Sequence, residues 1–459
     1  MVELPVEARP NSPGIHYRTA RAALALLLSA SACSPSRPST GAPALPPFVV
    51  TVRAYGGAGH DAAQLASMQD LGLEYIHGFV GFNWDLIETQ DDDWKWDWVD
   101  ERMDLAAEFG LRVIPFLMIP KEDLPWLTRT DPRMPEEYGE YAYEFTRRYR
   151  GHSAWSGLVA VWGGSSDILV GDYPGLAPEV VVPLLNAAYE GIKRADPETI
   201  VIGFNMATTA SNAEQWEEWH ERAFALGPLF DWFGVQSHNV LVTELEDPGA
   251  YAGLMGLTNV RAFLDAHGYG DRPLFLNEGG FPFEGTIGLP AQAHAEQVVE
   301  TYLLGPALDI DLRGWAYFAY FGKQADSDEG VYGLMTPLDE HDPPLPRPSW
   351  LALQTLIRTV HFFDYEFEAR LSGELNQASP PFVLRYSHSD NPDTRLWAVF
   401  APRLGRNEPA EEEVTIDISP AHAATLVDLY GETSPILPDA SGLVRLTARS
   451  SPVYVIVHP

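Results

Sequence analysis

A single carboxylate at the end of a short apolar run is the residue that points most directly to chemistry. Residues 273–280 read PLFLNEGG, so Glu278 follows an apolar segment and precedes two glycines. An apolar run without alternation is typical of a parallel strand that is buried on both faces. In a barrel of parallel strands, catalytic residues lie where the carboxyl ends of the strands open to solvent. We therefore predict that Glu278 is catalytic, the simpler alternative being a solvated strand end.

Polar and aromatic side chains follow other strand-like segments in the same way. Aromatic rings offer large apolar faces that can stack on sugar rings, whereas Asn, His and Glu side chains can hydrogen-bond sugar hydroxyls. Taken singly, none of these residues indicates a binding site. They do so together because all of them are predicted at the same end of one barrel. The sequence predicts a carbohydrate-binding cleft lined by Asn83, Trp84, Trp162, His238, Asn239, Trp315 and Tyr317.

The elements that must position these residues alternate between strand-like and helical patterns across residues 48–361. Such alternation is typical of an α/β fold with a parallel sheet, and eight repeats predict a (β/α)8 TIM barrel. The predicted strands are residues 48–54, 73–79, 112–118, 157–162, 199–204, 231–237, 274–277 and 313–320. Helices are predicted at residues 61–71, 98–109, 135–149, 178–195, 260–267, 291–302 and 348–360.

The pattern changes in residues 362–459, where short apolar runs are separated by turn signals. This arrangement predicts a small C-terminal all-β sandwich that packs against the barrel. Its predicted strands are residues 383–386, 396–400, 413–418, 424–429, 442–447 and 453–457.

Residues 1–33 are typical of an export signal. Arg18 and Arg21 precede a short apolar segment and several small residues, which lead to Cys33. The apolar segment is shorter than the roughly 20 residues needed to span a bilayer. Cys33 is the only cysteine of the chain and has the position of the lipidated cysteine in bacterial lipoprotein signals, although Ala30 stands where Leu is usual. An ordinary signal peptide with an incidental cysteine is the alternative.

Residues 34–47 are rich in Pro and Ser, as in a tether. We therefore expect a bacterial cell-surface or periplasmic lipoprotein, or a secreted protein, that contacts the membrane only through a lipid anchor.

The formal charge of -34 argues against nucleic acid and anionic membrane surfaces as partners. The sequence contains no HExxH motif, Gly-rich phosphate loop, Gly-x-Ser-x-Gly motif or set of Cys ligands. The run Asp91–Asp93 lacks the spacing of a calcium loop, so we expect no metal or cofactor.

Taken together, these features resemble the (β/α)8 retaining glycosidases of clan A, especially the β-xylosidase and α-iduronidase-like branch. The resemblance extends from about residue 48 to the end of the sequence. The similar stretches are residues 72–75, 84–88, 96–100, 110–111, 148–150, 231–238 and 273–280, the region around Trp315, and residues 427–432 and 452–454.

The resemblance implies two carboxylates about 5 to 5.5 Å apart, one a nucleophile and the other an acid and then a base. Glu278 matches the nucleophile, His238 and Tyr317 would orient it, and Trp84, Trp162 and Trp315 would form the sugar platform. The acid/base of this group belongs to an Asn-Glu pair that follows a Trp on the fourth strand. In this sequence Trp162 matches, but Gly163 and Gly164 occupy the pair.

Three accounts of the missing acid remain open. Asp167, our candidate, or Asp172 could act from a rearranged loop, and a separation of roughly 6.5 to 9.5 Å would then suit an inverting reaction. A loop with Asp326, Asp328 and Glu329 could supply the acid instead. In the third account the site is inactive, since losing a general acid costs ~10²–10⁴-fold in rate.

Two functions are therefore carried forward. The first is an exported glycoside hydrolase that cleaves O-glycosidic bonds of an extracellular poly- or oligosaccharide, with Glu278 as nucleophile. The second is a catalytically inactive glycan-binding lipoprotein that uses the same cleft. A second carboxylate within about 10 Å of Glu278 would favour the hydrolase.

Overall fold

The computed structural model describes most of the chain after the predicted tether. The described residues are 45–54, 61–79, 84–118, 123–128, 130–161, 177–207, 213–238, 253–283, 289–320, 332–336, 344–361, 364–373, 380–391, 393–402, 411–421 and 423–457. Cys33, the rest of the predicted signal and residues 34–44 of the predicted tether lie outside these residues. Within the described part, no helix combines the length and apolar character that crossing a bilayer requires.

Eight parallel strands form a curled sheet that closes on itself as a barrel. The first strand pairs with the eighth, as in Val49 with Gly314, and reaches the second through a bridge between Arg53 and His77. In order, the barrel strands are Val49–Val52, Tyr75–His77, Arg112–Ile114 continued by Phe116–Leu117, Leu158–Val161, Ile200–Ala207, Trp232–His238, Leu274–Gly280 and Leu312–Tyr317.

Helices cover the outside of the barrel. Their bounds are Asp61–Leu71, Trp84–Ile87, Asp97–Glu108, Met134–Tyr149, Pro178–Ala195, Ala213–Ala225, Gly253–Ala266, Ala291–Leu304 and Pro348–Val360, with a 3-10 turn at Gly305–Ala307. A two-stranded hairpin, Glu88–Gln90 and Asp93–Trp94, follows the second strand.

The barrel interior has an apolar layer beneath a polar one. Apolar side chains from the strands meet in one buried cluster that includes Val49, Tyr75 and Phe275. Because side chains of a strand alternate between its faces, residues two or four positions further on return to the interior. Those positions bring Arg53, His77 and Asn277 above the apolar layer, at the carboxyl ends of their strands.

The C-terminal region forms an antiparallel sheet whose two faces are both buried. Leu384 and Tyr386 on one face join the core of the barrel, whereas Val383, Trp397 and Val455 on the other pack under a two-stranded ribbon. The sheet strands, in spatial order, are Tyr365–Ser372, Phe382–His388, Arg395–Phe400, Val453–Val457, Ala424–Val427 and Thr433–Ile436, and the ribbon is Glu412–Asp417 with Leu443–Ala448. The expected α/β barrel with a C-terminal antiparallel β region is thus confirmed.

Candidate active site

Glu278 lies at the carboxyl end of the seventh barrel strand and is 8% exposed. Pairing with the sixth strand shifts register here, because Leu276 pairs with Val235 whereas Glu278 pairs with the next residue, Gln236. A regular strand would send Glu278 to the face opposite Asn277. The shift is a bulge that redirects the side chain, so that Glu278 can contact the polar layer of the barrel interior.

The two glycines after Glu278 are required by close packing. A Cβ atom on Gly280 would overlap the carbonyl oxygen of Phe318, and one on Gly279 would lie 2.9 Å from both the Ser237 carbonyl oxygen and Trp315 Nε1. The backbone beyond Glu278 therefore has space for hydrogen atoms only. In the sequence PLFLNEGG, Glu278 is thus the candidate for chemistry, whereas the two glycines are required by packing.

Arg53, which the sequence prediction missed, is a direct partner of Glu278. Its Nε atom lies 3.1 Å from Glu278 Oε1, and the two side chains are 6% and 11% exposed. The guanidinium also packs over the ring of Phe116, 4.5 Å from the ring centre. An ion pair this deeply buried limits the positions that the Glu278 carboxylate can adopt.

His77 in turn contacts Arg53. Arg53 Nη1 donates to His77 Nδ1 over 3.0 Å, and the imidazole is fully buried. Burial holds the pKa of His77 well below its ordinary value, and the positive charge of Arg53 lowers it further. The Glu278 and Asn277 side chains act in the opposite direction and raise the pKa by less. His77 is therefore a neutral imidazole.

Trp84 does not occupy the expected sugar platform. Its ring is fully buried and stacks on Tyr141 with centres 5.6 Å apart and planes inclined by 13°. Its Nε1 atom donates to Glu88 Oε2 over 2.6 Å. The expectation for Trp84 is corrected, because the covering helix Met134–Tyr149 leaves the ring no face for a sugar.

Trp315 and Tyr317 also differ from the expectation. Both face the helix layer, where Trp315 packs on Tyr302 at 4.5 Å and donates to the Gly279 carbonyl oxygen over 3.1 Å. The Tyr317 hydroxyl meets His294 Nε2 at 2.9 Å, so it does not orient Glu278. The physical reason is alternation along the eighth strand, which directs these two positions away from the barrel interior. Trp315 supports the backbone after Glu278 instead.

The remaining predicted site residues divide into two groups. His238 ends the sixth strand, where its backbone pairs with Gly280, two residues beyond Glu278. The others lie outside the described residues and stay predictions, namely Asn83, Trp162, Gly163, Gly164, Asp167, Asp172, Asn239, Asp326, Asp328 and Glu329.

Glu88 is another buried carboxyl group in the described part of the chain, as are Glu296 and Glu300. Burial raises its pKa to about 7, although hydrogen bonds from the Trp84 indole and the Asp92 amide oppose the shift. Carboxylate oxygens of Glu88, Asp91 and Asp92 lie within 4.8 Å of one another, close enough to share an ion. Since the oxygens of Glu88 already accept these two hydrogen bonds and both aspartates are exposed, we interpret the group as part of the hairpin structure.

The architecture defines a class: an α/β barrel with a glycoside hydrolase-like fold, followed by an antiparallel β region. No family model matches the sequence, and no curated protein matches it. Solved structures supply the likeness, which at this identity concerns the fold alone.

Three similar structures are a family 39 glycoside hydrolase, a beta-xylosidase and a family 30 endoxylanase. A family 39 glycoside hydrolase from Bacteroides cellulosilyticus WH2 aligns with a TM-score of 0.65 and 14% identity, covering 90% of this chain and 81% of that one. A monomeric beta-xylosidase from Caulobacter crescentus CB15 aligns at 0.59 and 15%, covering 91% and 97%. A family 30 endoxylanase from Clostridium papyrosolvens C71 aligns at 0.56 and 11%, covering 90% and 97%. The resemblance to clan A is confirmed at the level of fold.

Proposed function

We propose that the protein is an exported glycoside hydrolase that cleaves O-glycosidic bonds of an extracellular poly- or oligosaccharide, with Glu278 as the nucleophile. One observation carries the proposal: Glu278 lies at the carboxyl edge of a glycosidase-like barrel and is paired there with Arg53 at 3.1 Å. An ionised, oriented carboxylate is what a nucleophile in glycoside hydrolysis requires.

In the proposed reaction, a Glu278 oxygen attacks the anomeric carbon while the bond to the leaving oxygen breaks. The leaving oxygen takes a proton from an acid, for which Asp167 remains the candidate, and a glycosyl-enzyme ester forms. Water then attacks the same carbon, gives its proton to the deprotonated acid, which now acts as the base, and releases Glu278 as a carboxylate. Attack by Oε2 would preserve the contact between Arg53 and Oε1 throughout.

The test is hydrolysis of a panel of aryl glycosides by the mature protein beside Glu278→Gln. Aryl leaving groups need little protonation, so turnover reports on the nucleophile even where the acid is weak. We expect Glu278→Gln to lose several orders of magnitude in kcat, whereas Glu88→Gln, which removes another buried carboxyl group, keeps activity near that of the wild type. Equal activity of wild type and Glu278→Gln would overturn the proposal.

Gly163 and Gly164 favour a second candidate, an inactive glycan-binding lipoprotein, because neither can donate a proton. Glycan binding by wild type and Glu278→Gln alike, without turnover of any aryl glycoside, would establish it. If turnover occurs, azide separates the cases further: acceleration by azide indicates a missing acid/base, since the anion replaces activated water.

The proposed export and lipid anchor rest on the sequence around Cys33. Metabolic labelling with a radioactive fatty acid in a bacterial host tests the anchor. We expect label on the wild type and none on Cys33→Ala. A label that persists in the variant would overturn the proposed lipid anchor at Cys33.

A further inference from the structure

The contact between Arg53 and His77 has a defined polarity. A guanidinium has only donors, so Nδ1 of His77 must accept the hydrogen bond from Arg53 Nη1 at 3.0 Å. The proton of the neutral ring therefore resides on Nε2. A proton on Nδ1 would face the donors and the charge of Arg53.

Arg53 is held at several points around its guanidinium. Nε faces Glu278, Nη1 faces His77, and the plane packs on Phe116. Since Nε and Nη1 belong to one rigid plane, fixing Nη1 also limits the direction in which Nε can meet Glu278. His77 thus affects Glu278 without touching the reacting atoms.

We propose that His77 is a positioning residue, whose Nδ1 atom fixes the guanidinium of Arg53 and thereby the orientation of the Glu278 carboxylate. The inference rests on the proposed function of Glu278 but concerns a different residue. The competing explanation is packing alone, because the imidazole also lies 5.5 Å from the Phe116 ring and 6.2 Å from the Phe275 ring.

Two amide substitutions separate these explanations. In His77→Asn the side-chain oxygen can occupy the place of Nδ1, whereas in His77→Gln the longer side chain places its polar group near Nε2. Both variants lose the ring and its packing. Only the Asn variant keeps an acceptor for Arg53.

We expect kcat on an activated aryl glycoside to fall about 10²-fold in His77→Gln, the cost of a misplaced reacting group, with KM little changed. His77→Asn should stay within about tenfold of the wild type. Thermal unfolding of both variants measures the packing loss, which should be similar. Equal kcat in the two variants would overturn the inference.

A crystal structure of each variant gives a readout that needs no turnover. The separation of 3.1 Å between Arg53 Nε and Glu278 Oε1 should persist in His77→Asn and be lost in His77→Gln. If the wild type hydrolyses no glycoside, the proposed function fails and this separation alone decides the inference. An unchanged separation in His77→Gln would overturn it.

The wild type offers a last measurement if the variants do not fold. Long-range nitrogen–proton NMR spectra of the histidine rings report which nitrogen of His77 carries the proton, and contacts with the nearby aromatic protons of Phe116 and Phe275 assign the signal. We expect the proton on Nε2. A proton on Nδ1 would contradict the inference.

Discussion

At the scale of single residues, Arg53 and Glu278 depend on each other. Each is a charged group with little exposure, and removing one partner leaves the other charge buried without compensation. The pair therefore places a constraint on stability as well as on chemistry.

We expect Arg53→Met to destabilise the fold by about 3–5 kcal/mol, the usual cost of breaking a buried ion pair. Combining it with Glu278→Gln should recover part of this loss, because no charge then stays behind. Urea unfolding of the wild type, both single variants and the double variant gives the coupling free energy between the two side chains. Additive effects would argue that the two charges are independently solvated.

Gly280 allows a second prediction at this scale. Gly280→Ala forces a methyl group against the Phe318 carbonyl oxygen and should cost about 1–3 kcal/mol. Gly151→Ala is the matched control, since a Cβ atom there meets nothing within 4 Å and its change should stay within about 0.5 kcal/mol. Equal midpoints of urea unfolding in the two variants would show that the end of strand Leu274–Gly280 shifts to accommodate the methyl group at little cost.

At the scale of elements, the hairpin after the second strand contains a group that titrates near neutral pH. The pKa of Glu88 rises from 4.5 to about 7 on folding, chiefly through burial. The folded state therefore binds a proton more tightly than the unfolded state, and the stability from that proton is present below about pH 4.5 and lost as pH rises through 7.

We accordingly expect Glu88→Gln to flatten the decline in unfolding free energy between pH 5 and pH 8, seen by urea titration at several pH values. Glu101→Gln, at an exposed position of helix Asp97–Glu108, should leave the decline unchanged. If the unfolding free energy of Glu88→Gln declines as steeply as that of the wild type, the decline comes from other titrating groups.

Much of the element order could be predicted from the sequence. Helices 61–71, 178–195 and 348–360 have the predicted bounds, and the last two are long segments with clear helical periodicity. Helix Ala213–Ala225 and strand Thr433–Ile436 were missed. The strand is mostly exposed and contains Pro435, so it lacks the apolar alternation from which strands are recognised.

The residue types of the site could be predicted from the sequence, but the directions in which their side chains point could not. Glu278 was found because it ends an apolar strand, and the same rule applied to the first two strands would have found Arg53 and His77. Trp84 and Trp315 were misplaced because a sequence does not state which side of a strand or helix meets another element. The bulge before Glu278 depends on pairing with the sixth strand, so no local signal reveals it.

At the scale of the whole molecule, the C-terminal sheet and the barrel share one core. Tyr386 donates to the Leu303 carbonyl oxygen of helix Ala291–Leu304 over 3.1 Å, and Ser451 donates to Glu296 of that helix over 2.5 Å. The same helix contacts Tyr317 through His294. Loss of the sheet would therefore uncover a helix that packs beside the candidate site.

We expect Leu384→Ala, on the face of the sheet toward the barrel, to destabilise the protein by about 2–5 kcal/mol. Tryptophan fluorescence and far-UV circular dichroism should still report one shared transition. Leu437→Ala is the control, because that side chain is 74% exposed. Two separate transitions in the wild type would contradict a shared core.

The strand order of the C-terminal sheet has a consequence for biogenesis. Val453–Val457 lies between Arg395–Phe400 and Ala424–Val427, so the strand made last is an inner member of the sheet. Until the ribosome has released these residues, the sheet consists of two unpaired halves with open edges, a state that invites aggregation. Completion of this last strand is therefore the step that closes the open edges of the sheet.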